Sequence, residues 1–157
     1  MGARLASGGP RPSGAPREVA GDFRGGTMTR YLLDTTVLID FSVGRTPVKA
    51  HILKLIREGN DLAVSPISVA EYYAGISPGD DPDMDRFIRR LPCWDTSREI
   101  AMIAGDYRFR FRHTHQRKLP TPDTVIAATA RHHDATLLTN NPKDFPMTDI
   151  AVERLGA

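Results

Sequence analysis

A single cysteine, Cys93, stands among the 157 residues, so no internal disulfide can form, and a reducing compartment, the cytosol by default, is the expected setting. Long apolar runs are missing too. No stretch approaches the roughly 18 uncharged residues that a bilayer-spanning helix needs, so no membrane segment is expected. Aromatic residues supply only 7% of the chain, against 40% hydrophobic and 25% charged overall, a composition suited to one ordinary globular core. The glycine patterns that cradle phosphates, GxxxxGK[ST] and a GxGxxG after a strand, do not occur, which argues against a nucleotide-binding α/β enzyme. A haloacid-dehalogenase-like phosphatase would carry a second acid two residues after Asp34, where Thr36 stands instead. Asp80, Asp81, Asp83 and Asp85 do not make a calcium loop. Counted from Asp81, the position that demands glycine is Arg86 and the one that demands glutamate is Pro92. These acids read as favourable charges before a helix over 84–91.

Net charge is small. The formal +2 of the chain equals the balance of Arg4, Arg11, Arg17 and Arg24 over Glu18 and Asp22, so residues 28–157 are neutral. The pI of 8.9 therefore reflects the first residues more than a basic nucleic-acid face. Residues 1–27 are rich in glycine and proline and offer little to pack, which predicts a disordered extension. Met28 directly precedes the first strand-like run, and no signal-peptide apolar region is present. The extension is expected to be a leader or the product of an upstream start codon, with residues 28–157 forming the domain.

Within that domain, apolar runs over 30–33, 62–64 and 136–139 read as buried strands, with a last short one over 150–152. Helical spacing follows over 48–58, over the segment VAEYYAG, and, after Pro120 and Pro122, from a cap at Asp123 through Ile126, Ala127 and Ala130 to about His133. The stretch 97–112 contains RFRFR, which looks alternating. Ile100, Ala104, Tyr107 and Phe111, however, recur at steps of four, three and four, so a helix with one apolar stripe is predicted. Repeated alternation of strand and helix implies a three-layer α/β domain with a mostly parallel sheet.

Four segments each carry one carboxylate at the border of an apolar run: Asp34, Glu71, Asp123 and Asp144. Ligands of open parallel sheets sit beyond the carboxyl ends of the strands, where these acids are expected to meet. Close carboxylates repel and resist burial unless protons or cations compensate. An all-oxygen set suits magnesium or manganese, whereas zinc would recruit histidine or cysteine. Such a site would support metal-assisted hydrolysis of a phosphodiester. Each acid also has a structural reading: Asp34 and Asp123 as helix caps, Asp144 as a turn cap, and Glu71 as a solvated helical residue. The segment from Arg108 to Lys118, with Arg110, Arg112, His113, His115 and Arg117, is a candidate track for RNA phosphates or a solvated helix end. His132 and His133 read as helix-terminal.

LLDTTVLID, VAEYYAG, PTPDTVIAATA and LLTNNPKDF, in that order, resemble the four acidic motifs of PIN-domain ribonucleases, in particular the VapC toxins of VapBC toxin-antitoxin modules. The resemblance spans about residues 30–155. It implies a Rossmann-like PIN fold, endoribonuclease activity dependent on magnesium or manganese, a homodimer, and inhibition by a cognate VapB-like antitoxin. It makes Asp34 and Asp123 the principal metal ligands, with Glu71 and Asp144 completing the cluster directly or through water. Thr36 falls at the hydroxyl position after the first acid, and Asn141 at a polar position before the fourth. The connection HTHQRKLPTP departs from the pattern by lacking the glycine that many relatives carry before the third acid. The competing class is an RNA-binding or antitoxin-binding module with an impaired site.

Overall fold

The computed structural model describes residues 28–155, and the extension expected over 1–27 lies outside them. Four parallel strands, β1 (Arg30–Leu33), β2 (Asp61–Ala63), β3 (Thr136–Thr139) and β4 (Val152–Arg154), lie in the order β2-β1-β3-β4. Between β1 and β2 run α1 (Thr35–Ser42) and α2 (Thr46–Arg57). Between β2 and β3 run α3 (Pro66–Gly75), α4 (Pro82–Arg90), α5 (Arg98–His115) and α6 (Thr121–His132). A single 3₁₀ turn, Pro142–Asp144, follows β3.

Alternation of side chains along the strands builds the layers. Leu32 and Leu137 join a cluster with Ile100, Ala104, Tyr107 and Ile126 from α5 and α6. Their neighbours Leu33 and Leu138 point the other way, into a cluster with Val37, Leu38, Ile52 and Leu55 of α1 and α2 and Met84 and Ile88 of α4. The sheet is thus covered on both faces, which is why its strands are short apolar runs. Leu137 and Leu138 are wholly buried, and truncating either to alanine removes about 2–5 kcal/mol.

Helix starts follow local chemistry. Ser97 opens α5 by accepting from the Ile100 N–H at 3.2 Å, and Ser65 does the same for α3 from Ser68 at 3.2 Å. Asp81 caps α4 from Met84 at 3.1 Å, so the acidic run serves a helix start, as expected. The helical reading of RFRFR holds, although α5 runs one turn further than 112, to His115. Several boundaries shift by one to three residues, and two of them bear on the sheet and the site. The last strand is Val152–Arg154 instead of 150–152, since register with Leu137, Leu138 and Thr139 selects its pairing residues. The helix bearing Asp123 begins earlier, at Thr121 with Pro120 as N-cap, because Pro122 fits the first turn, where its missing N–H is not needed.

Candidate active site

Asp34 ends β1 and occupies the N-cap of α1, yet its side chain makes no capping hydrogen bond. It turns instead toward β3. Its Oδ2 accepts from the Thr139 hydroxyl at 2.9 Å and from the Thr36 hydroxyl at 3.0 Å, and its backbone N–H donates to the Leu138 carbonyl at 2.9 Å. Asp34 is 4% exposed and Thr139 is fully buried. Burial raises the Asp34 pKa above the usual carboxylate value; the hydroxyls of Thr139 and Thr36 pull it back, and the charge of Glu71 raises it further. A carboxylate buried on hydroxyl donors and left uncapped is placed for something other than helix initiation.

The other acids face the same edge. Glu71, in the second turn of α3, accepts from the Thr35 hydroxyl at 2.8 Å, which ties it to the residue next to Asp34. Asp123 sits in the first turn of α6 and not at its cap, so the capping reading is set aside. Its pKa is pushed up to about 6, first by burial and then by the charges of Asp144, Asp34 and Glu71, in that order. The charges of the other three acids all reach Asp123, so the four carboxylates share one electrostatic neighbourhood. Asp144 closes the 3₁₀ turn and accepts from Asn141 Nδ2 at 2.5 Å.

Two short relays hold this arrangement. The Thr139 hydroxyl donates to Asp34 while accepting from the Asn141 N–H at 3.0 Å, and Asn141 in turn holds Asp144. Thr36 donates to Asp34 and accepts from the Asn140 N–H at 3.1 Å. Thr36 and Asn141 thus stand beside Asp34 and Asp144, as the family resemblance implied. Thr35 and Thr139 were not anticipated. The visible signal for Thr139 is a hydroxyl directly after the buried pair Leu137 and Leu138, at the edge where the acids gather.

The five basic residues proposed for RNA separate onto two sides of α5. Arg110 and Arg117 line one groove, with Phe111, His115 and Asp149. Arg108, Arg112 and Lys118 line another, with Phe109 and His113. Only Arg117 is tied to the acidic edge, donating to the Lys143 carbonyl at 2.7 Å. Arg108 donates to the Leu119 carbonyl at 3.1 Å, and Arg110 pairs with Asp106 at 2.9 Å. The glycine-free connection turns at Gln116, whose φ of 49° lies in the left-handed region that glycine enters without strain. His133 caps the C-terminal end of α6 and stacks on Trp94, with ring centroids 4.1 Å apart.

The donor set has the chemistry of a hard-cation site. It consists of carboxylates and hydroxyls with no histidine or cysteine, and no arginine or lysine among the described residues forms an ion pair with any of the four acids. The acids nonetheless stand open, since among the described residues no three histidine, cysteine, aspartate or glutamate side chains close into a ready metal cage. No helix among the described residues is long and apolar enough to cross a membrane.

Comparison with known proteins agrees with this architecture. The profile of the PIN domain family matches residues 31–150. Ribonuclease VapC19 of Mycobacterium tuberculosis is 33% identical over 116 residues, covering 74% of this chain and 92% of that protein. Ribonuclease VapC10 of the same organism is 32% identical over 116 residues, covering 74% and 86%. Among solved structures, VapBC2 from Rickettsia felis bound to a promoter DNA fragment superposes with a TM-score of 0.68 at 25% identity, covering 80% of this chain and 98% of that one.

Proposed function

The chain belongs to the PIN domain family, and from that premise we propose that it is an endoribonuclease of the VapC kind, the toxin of a type II toxin-antitoxin pair. It hydrolyses RNA phosphodiester bonds with a magnesium or manganese ion, works in the cytoplasm as a homodimer, and is silenced by a cognate VapB-like antitoxin. Relatives named Ribonuclease VapC and a VapBC structure support the activity and the pairing. One observation carries the site assignment: Asp123 is pushed up to about 6 by burial and by three neighbouring carboxylates, and among the described residues no cationic side chain is paired to them. Carboxylates held this way take up a divalent cation because it removes their repulsion.

Asp34 and Asp123 are the principal ligands, with Glu71 and Asp144 completing the set. When bound, the cation lowers the pKa of a water and stabilises charge developing on the attacked phosphate. The chain's own residues supply the positioning. Thr139 and Thr36 fix the Asp34 carboxylate by hydrogen bonds to Oδ2, Thr35 holds Glu71, and Asn141 holds Asp144. Asp123, near half-ionised at about pH 6, gives up its proton at neutral pH to take part in the set. Arg117, beside Asp144, is placed to hold an RNA phosphate.

The test is brief expression of the chain without antitoxin, with new RNA 5′ ends mapped across the transcriptome. Asp34→Ala is expected to lower cleavage by more than about a hundredfold, beyond the loss typical of outer partners of a metal ligand. Full cleavage by that variant refutes the site. Tight RNA binding by the native chain without turnover in manganese would assign the impaired binding module instead.

A further inference from the structure

A groove of about 570 Å³ lies between the last turns of α5 and the segment 146–149. Phe111 and His115 line it as neighbouring rings, with centroids 5.1 Å apart and planes tilted by 38°. Phe111 is partly buried against the core cluster, which fixes its ring, whereas His115 and Arg117 are exposed. Asp149, the acid in the lining, is engaged by the Tyr107 hydroxyl at 2.7 Å and by Arg131 at 3.4 Å. Arg117 connects this groove to the acidic edge. Its guanidinium donates to the carbonyl of Lys143, the residue before Asp144.

Rings set beside a guanidinium fit a base followed by its phosphate. Unstacked bases of single-stranded RNA are recognised by stacking on aromatic and histidine rings, while a duplex keeps its bases inside the stack. A purely apolar ligand would leave unused the donors of the exposed Arg117 guanidinium beyond the one spent on the Lys143 carbonyl. We propose that this groove is a base subsite for single-stranded RNA: a nucleotide neighbouring the scissile phosphate lays its base on Phe111 and His115 while Arg117 holds its phosphate. The proposal rests on the ribonuclease reading and deepens it, because the subsite sets base preference at one position beside the cut.

The experiment uses the full chain on a pool of single-stranded RNA decamers of random sequence in manganese, with cut sites read by sequencing. Phe111→Leu keeps apolar volume and removes the ring, and His115→Ala changes an exposed side chain, so the second variant remains informative if the first folds poorly. Each is expected to flatten base preference at one position next to the cut and to lower kcat/KM about tenfold, mainly through KM. Unchanged profiles and KM in folded variants overturn the subsite while leaving the ribonuclease reading intact, provided Asp34→Ala abolishes cleavage of the same pool. If the native chain cuts nothing, the ribonuclease reading fails on its own. Binding of fluorescein-labelled decamers in chelator then decides the groove separately: weakening by the His115→Ala variant supports it and equal binding overturns it. Variants that leave RNA untouched but lose affinity for the antitoxin assign the groove to the protein partner and refute the proposal.

Discussion

Replacing Asp123 with asparagine is expected to stabilise the protein at neutral pH while ending its activity. The folded-state pKa is pushed up to about 6 from the ordinary 3.8, by burial and by three carboxylate neighbours. A raised acid binds more protons folded than unfolded between those two values, so stability falls as pH rises through that window and the full penalty stands above it. About two units correspond to roughly 3 kcal/mol. Partial solvent access screens the repulsion and reduces that to about 1.5 kcal/mol. The charge also favours the N-terminus of α6, where Asp123 lies in the first turn, and losing that contribution takes back about 0.5 kcal/mol. A net gain of about 1 kcal/mol remains, which is roughly 4 °C for a domain of this size. Thermal unfolding of native chain and Asp123→Asn, in chelator at pH 7.5 and at pH 4, tests it. The variant should melt higher at pH 7.5, and the difference should vanish at pH 4. A variant that melts lower at pH 7.5, or a gap equal at both values, refutes the electrostatic reading of the site.

Removing the Thr139 hydroxyl in Thr139→Val leaves the Asn141 N–H and one Asp34 acceptor position unpaired in a buried place, at a cost of about 1–3 kcal/mol in urea unfolding. Because that hydroxyl lowers the Asp34 pKa, its loss raises it further. Activity that needs the ionised carboxylate should then fail at a higher pH on the acid side, and Thr139→Ser should restore the native profile; an unmoved acid limb sinks this role. Manganese at about a hundred times its Kd should stabilise the native chain by about 2.7 kcal/mol. Asp34→Asn should abolish that gain, and a gain retained in full places the cation elsewhere.

Strand β3 was legible to the residue, because the pair Leu137 and Leu138, flanked by β-favouring threonines and closed by Asn140 and Asn141, leaves little choice of boundary. The α5 stripe was legible for a related reason: a window longer than RFRFR contains enough turns to separate period 3.6 from period 2. β4 was misplaced by two residues because Ile150 and Val152 are both apolar, and only pairing with β3 decides between them. Of the candidate site, the four acids could be read from type and position, whereas Thr36 and Asn141 came only from the resemblance to the family motifs. The hydroxyl relay through Thr139 could not, since Asp34 and Thr139 are 105 residues apart and meet only when β1 and β3 become neighbours. Nor could the two-sided split of the arginines, because an arginine every second residue on a helix spreads over its circumference.

Strand order explains why these acids meet. From β1 the chain crosses to β2 on one side, while β3 later inserts on the other side of β1, so connections leave the β1/β3 pair in opposite directions. A crevice opens beyond the carboxyl ends of such a pair. Asp34 leaves β1 at that point, and Thr139, Asn141 and Asp144 leave β3 there, with α3 and α6 delivering Glu71 and Asp123 from the connection between them. The hydrogen bond from Thr139 to Asp34 spans the two strands. Acidity is therefore concentrated at the end of the two central strands, each of which is paired on both sides. That pairing holds the repelling carboxylates together before any cation arrives. A change that weakens β1/β3 pairing should disperse the acids and lower the Asp123 pKa toward its ordinary value, even with every acid in place.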